Sequence, residues 1–168
     1  FQKSLHEHGS HIINNLETSY FFAGHNHYMA NVVGLIFLGI STDNKDSKRW
    51  LKFGLEEFNK AIDFQFYDDG GNFEGSAYYH RLVLEMVLHT AILISNNENE
   101  VKKIIGQEEI FNQRVSQKIH NAFLFFKHII TPDYSLFQYG DNDSGRLFNL
   151  TGQTDKNINK FITDLGNS

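Results

Sequence analysis

From Ser76 to Ile94 the chain has almost no polar face. Leu82, Val83, Leu84, Met86, Val87, Leu88, Ala91, Ile92 and Leu93 would occupy nearly every side of a helix. A helix that is apolar all round must be enclosed by other secondary structure. The rest of the chain supplies that cover as further helices rather than as sheet. Proline, which breaks helices, occurs once, at Pro132. The close spacing of turns that marks an all-β chain is missing, so the expected class is all-α.

Apolar spacing predicts five other helical segments. The first, residues 4–19, carries Leu5, Ile12, Ile13 and Leu16. The second starts near Asn26 and runs through Val32, Val33, Ile36, Phe37 and Ile40. A polar cluster, residues 41–46, ends it. The third, residues 47–66, puts Trp50, Leu51, Leu55, Phe58, Ile62 and Phe66 on one broad face. Beyond residue 94 the letters Ser95 to Glu100 read as a loop. A further helix is expected over 108–130 and a last one over 154–165. Short connections and broad faces without heptads favour antiparallel helical hairpins.

Composition limits the partners. Sixteen phenylalanines and 40% apolar residues suffice for a substantial core. A net charge of −5 speaks against a nucleic-acid backbone, which wants a basic face. The longest apolar run, Val32 to Ile40, is too short to span a bilayer. Without cysteine there is neither a disulfide framework nor a thiolate zinc site. The histidines do not take up metal spacing: His6 and His11 are five apart, and the zincin pair requires four. No metal and no cofactor are expected.

Two polar knots stand where helices begin. The first is Gly24-His25-Asn26-His27-Tyr28-Met29-Ala30-Asn31. Free N–H groups and the positive dipole end at a helix N-terminus attract an anion, and an amide beside an imidazole strengthens that. The plainer reading makes Asn26 a cap and His27 a surface residue. The second knot runs from Asp69 through Glu74, Ser76, Tyr78, Tyr79, His80 and Arg81. Ser76 suits an N-cap. Two adjacent tyrosines on a helix diverge by about 100°, so one at most faces a given cleft. Glu74 and Arg81 fit an ion pair as well as a substrate contact. A turn-rich loop, residues 140–146, contributes Arg146.

In order, these features resemble the helical domain of the heparinase II/III-type polysaccharide lyases. The resemblance runs from about Phe22 to Arg146. It is carried by Asn26 to Asn31, Gly34-Leu35, Gly39, Trp50, Gly54, Asp69-Gly70, Phe73 to Ser76, Tyr79 to Leu82, and Gly140 to Arg146. It implies an incomplete (α/α) toroid. Residues 1–168 would be a single helical domain of a larger lyase, without the family's C-terminal β-sandwich and the catalytic histidine that domain contributes. It implies β-elimination on uronate-containing polysaccharides, with Asn26 and His27 at the substrate carboxylate and Tyr79 as proton-transfer group. His80, Arg81, Glu74 and Arg146 would bind or position substrate. The expected partner is an acidic polysaccharide, and the expected location is the periplasm or outside the cell.

Two other classes are open to the same residues. A non-catalytic carbohydrate-binding or surface-polysaccharide assembly module would keep exposed aromatics, such as Tyr28, Tyr78 or Trp50, for stacking on sugars. A helical scaffold for protein partners would use the polar knots as caps only.

Overall fold

The computed structural model describes residues 1–18, 24–142, 145–148 and 154–167. Phe22, Asp143 and Ser144, which carry part of the resemblance, and Ser19, the expected end of the first helix, lie outside them. Among the described residues the elements are α-helices: α1 Gln2–Asn14, α2 Asn26–Ser41, α3 Ser47–Gln65, α4 Ala77–Asn96, α5 Glu98–Ile105, α6 Gln113–Ile129 and α7 Asp155–Gly166. Pairing in the β sense is limited there to two isolated bridges, Phe66 with Asn72 and Ile130 with Leu136. The chain is all-α.

Several boundaries differ from the sequence expectation. α1 stops at Asn14, and α6 starts at Gln113 rather than near 108. The expected loop over 95–100 is helical on both sides of Asn97, as the end of α4 and the start of α5. Its polar letters hide a good short helix. Glu98 and Glu100 occupy the first turn, Lys102 and Lys103 the last, and Gly106 closes it in the left-handed conformation. Acids at the N-terminus and bases at the C-terminus match the helix dipole, and the Glu98–Lys102 pair at 2.7 Å adds to it.

The chain divides into two compact units. The first comprises residues 1–61 and 90–112, the second 62–89 and 113–168. In the first unit α2 and α3 pack closely. Gly39 backs onto Leu51, and Gly54 onto Ile36. Numbers rise along one helix as they fall along the other, so the pair is antiparallel. Met29, Val32, Leu35, Ile36, Trp50, Leu51 and Phe58 are fully buried around it. α1 lies on α2, with Ile12 against Gly34, while Gly9 rests on the Trp50 ring.

In the second unit α4 meets α6 through His80, whose ring lies among Phe66, Phe125 and Phe126 at centroid distances of 5.7, 5.1 and 6.4 Å. Phe123 of α6 covers Gly166 of α7. The turn between α3 and α4 is tied to α6 as well. Lys118 Nζ, nearly buried, donates to the carbonyls of Asp63 and Phe66, and Asn121 donates to Asp68 O at 2.7 Å.

Candidate active site

Asn26 and His27 are the first two residues of α2, as the first polar knot requires. The N-cap is His25, with extended backbone angles and no side-chain cap bond, so the capping role considered for Asn26 falls to its neighbour. The first turn of α2 holds no acid. The positive end of the helix dipole there favours an anionic group.

His27 is exposed, but it is not loose. Its Nδ1 lies 2.9 Å from Glu17 Oε2. The backbone N–H of Glu17 in turn donates to Asn31 Oδ1 at 2.7 Å. Asn31 sits on the same helix as His27, so α2 fixes the glutamate that orients its own histidine. Sequence reasoning missed Glu17. The one available signal was a carboxylate in the polar stretch just ahead of the first knot, and neither periodicity nor a motif singles it out.

Tyr28 and Trp50, candidates for stacking on sugars, are 2% and 0% exposed. Both are core residues. The Tyr28 hydroxyl donates to Glu57 Oε2 at 2.5 Å, and burial together with that carboxylate raises its phenol above the ordinary range. Both rings lie on the buried faces of their helices, which a spacing argument alone cannot separate from exposed ones.

The second unit holds the other knot. Ser76 caps α4 by accepting the Tyr79 N–H at 3.3 Å. Tyr78 and Tyr79 part as two adjacent helical residues should. The Arg81 guanidinium carbon stands 4.9 Å from the Tyr78 ring centroid, which commits that ring to Arg81. Tyr79, half-buried in the first turn, is the other one.

His80 and Arg81 have no exposed surface, so neither touches a substrate directly. The His80 ring places Nε2 3.1 Å from Ala122 O. A carbonyl only accepts, so Nε2 carries the proton. Burial pushes this histidine down to about 4, and the ring is neutral at physiological pH. Arg81 reaches Asp155 Oδ1 at 3.3 Å, across 74 residues of sequence, and Gly145 O at 3.4 Å. Arg146 meets the same Asp155 oxygen at 3.0 Å. These two arginines hold the loop and α7 against α4. Glu74, half-buried, takes a place in the glycine turn, where its N–H donates to Asn72 Oδ1 at 2.9 Å.

The turn-rich loop docks on the start of α4. Ser76 Oγ donates to Asp141 O at 2.6 Å and Ala77 N to Tyr139 O at 3.2 Å. Glu85, one turn beyond Arg81, accepts from Leu147 N at 3.1 Å and Phe148 N at 3.4 Å. Burial raises its carboxyl, against the pull of those N–H groups and of Arg81 and Arg146. Sequence reasoning missed this role, and the available signal was that Glu85 interrupts an otherwise apolar run.

Among the described residues no group of three or more His, Asp or Glu side chains could hold a metal ion. A depression of about 560 Å³ lies in the first unit between Lys52, Asn59 and Ile110, and none of the expected site residues lines it.

The family model described as Heparinase II/III N-terminus matches residues 1–163. The chain belongs to this family. Two curated relatives agree with it. A heparin-sulfate lyase from Bacteroides stercoris is 26% identical over 136 residues, 80% of this chain and 18% of that protein. A heparin-sulfate lyase from Pedobacter heparinus is 30% identical over 128 residues, 76% of this chain and 18% of that protein. The heparinase II/III match thus spans under a fifth of each relative's length. No solved structure matches.

Proposed function

We propose that this chain forms the helical part of a polysaccharide lyase that cleaves uronate-containing glycans by β-elimination, acting in the periplasm or outside the cell. The observation that carries the reading is the family match over residues 1–163, with heparin-sulfate lyases as relatives. The placement of Asn26, His27 and Tyr79 in the first turns of α2 and α4 is compatible with it.

Removing the C5 proton of a uronate is difficult because it builds charge beside a carboxylate that is already anionic. In this proposal, donors from the Asn26 amide, from a His27 ring bearing a proton on each nitrogen (Nδ1–H to Glu17, Nε2–H to substrate) and from the start of α2 neutralise the carboxylate and hold the developing dianion. Such donors are worth most when fixed before the reaction begins. Glu17 fixes the imidazole. Tyr79, ionised, takes the C5 proton. The C5 electron pair becomes the C4=C5 double bond, the C4–O4 bond breaks, and the leaving O4 takes the proton back from the Tyr79 phenol. His80, Arg81, Glu74 and Arg146 act indirectly, by holding the turn and loop around the start of α4.

A non-catalytic sugar-binding module is the weaker reading, since Tyr28 and Trp50 lie in the core. The deciding assay incubates the full-length parent protein with heparan sulfate, chondroitin, hyaluronan and alginate. Ultraviolet absorbance of the unsaturated uronate is followed. A rise that Tyr79→Phe abolishes while the fold is kept supports the lyase. Full activity in Tyr79→Phe removes the role given to Tyr79. A flat trace for the wild type on every polymer removes the lyase.

A further inference from the structure

Basic residues are few in this acidic chain, and most are already engaged. Among the described residues Lys3, Arg49, Lys60, Arg81, Lys102, Arg114, Lys118, Arg146, Lys156 and Lys160 each have an acid within 4 Å. Lys45, Lys48 and Lys52 have none at that distance. With Arg49 they place four positive charges against the single Asp46 in eight residues, a local balance of +3 in a chain of net −5.

Lys48, Arg49 and Lys52 are spaced as one face of α3, and Lys45 stands in the turn just before it. All four are exposed, while Trp50, Leu51 and Leu55 of the same stretch are buried. The cluster stands at the N-terminus of α3, where no acid occupies the first turn. Cations at the positive end of a helix repel its dipole and each other. The acids within reach relieve this only in part. Glu56, one turn beyond Lys52, is drawn to Lys60 at 2.7 Å, and the single Asp46 is shared by His6, Arg49 and, from beyond 4 Å, Lys45. Asp43 and Glu100 line a depression of about 400 Å³ together with Lys48, and neither closes on it.

We infer that this stripe at the start of α3 is a binding surface for an anionic, sulfated polysaccharide strand, separate from Asn26 and His27. Under the lyase reading, on which the choice of polysaccharide rests, it would hold a length of polymer outside the reacting residues. A repeating anion fits a row of unpaired lysines, because each contact releases condensed counterions. Three lysines and an arginine without a polar pocket read charge density rather than one sugar.

The test uses the full-length parent protein and dextran sulfate, a sulfated polysaccharide without uronate that β-elimination cannot cleave. Binding is measured over a range of salt concentrations. In the variant Lys45→Gln/Lys48→Gln/Lys52→Gln, affinity at about 50 mM salt should fall roughly tenfold or more, and the slope of log K against log salt should flatten by about two. The control Lys103→Gln/Lys127→Gln should change neither. An unaltered slope in the triple variant, an equal loss in the control, or no wild-type binding at low salt would each overturn the inference. Tighter binding to duplex DNA than to dextran sulfate would overturn it in favour of a nucleic-acid surface. Failure of the lyase reading is visible separately, as a flat ultraviolet trace on uronate polymers.

Discussion

Glu17 Oε2 and His27 Nδ1 lie 2.9 Å apart, and Asn31 of the same helix as His27 holds the Glu17 backbone at 2.7 Å. A carboxylate on Nδ1 fixes the tautomer and the ring plane, and leaves Nε2 for chemistry. Both side chains are more than half exposed, so the pair serves orientation rather than stability. Glu17→Gln in the full-length protein should lower kcat by about tenfold, the scale of losing a histidine's orienting partner. The melting temperature should be unchanged. A wild-type kcat in Glu17→Gln would leave His27 without a need for its partner.

His80 makes stability depend on pH. Its folded value of about 4 lies below the ordinary 6.5, because the charged ring is disfavoured in the core. The unfolded chain therefore binds more protons between those values, and stability is lost as the pH is lowered through that window. The contribution is complete above about pH 6.5 and lost towards pH 4, at most about 3 kcal/mol. His80→Phe should flatten that part of the curve. It should also lower stability at neutral pH, since Ala122 O loses its donor. Urea unfolding of both proteins from pH 7 to pH 4 measures this, and an equal acid slope in both excludes His80 as the cause.

Gly75 and Gly140 share a φ of +65°, and their surroundings differ. A Cβ on Gly140 would stand 2.4 Å from Gly75 O, whereas one on Gly75 meets nothing within 4 Å. Gly75→Ala should cost only the left-handed backbone term, about 1–2 kcal/mol. Gly140→Ala adds overpacking against the start of α4, for a total of roughly 3–4 kcal/mol. Thermal melts should rank them in that order, separated by about 5 °C. Equal losses would show that the loop does not press on Gly75 in solution.

What the sequence determined by itself is what depends on neighbours in the chain. The periodic apolar faces of α2, α3 and α4, the Ser76 cap and the helix-start positions of Asn26, His27 and Tyr79 all rest on residues within a turn of one another. The family was legible for the same reason, as an ordered series of short motifs. Local reading failed over α5, whose polar letters describe a loop and a dipole-matched short helix equally well. Tertiary structure decided the pairings between distant segments. Arg81 finds Asp155 across 74 positions, Glu85 finds Leu147 and Phe148, and Glu17 finds His27. It also buried Tyr28, Trp50 and His80, because which side of an amphipathic helix becomes core depends on what packs against it. Burial and charge pairing are properties of the surroundings, and those are settled only when the helices meet.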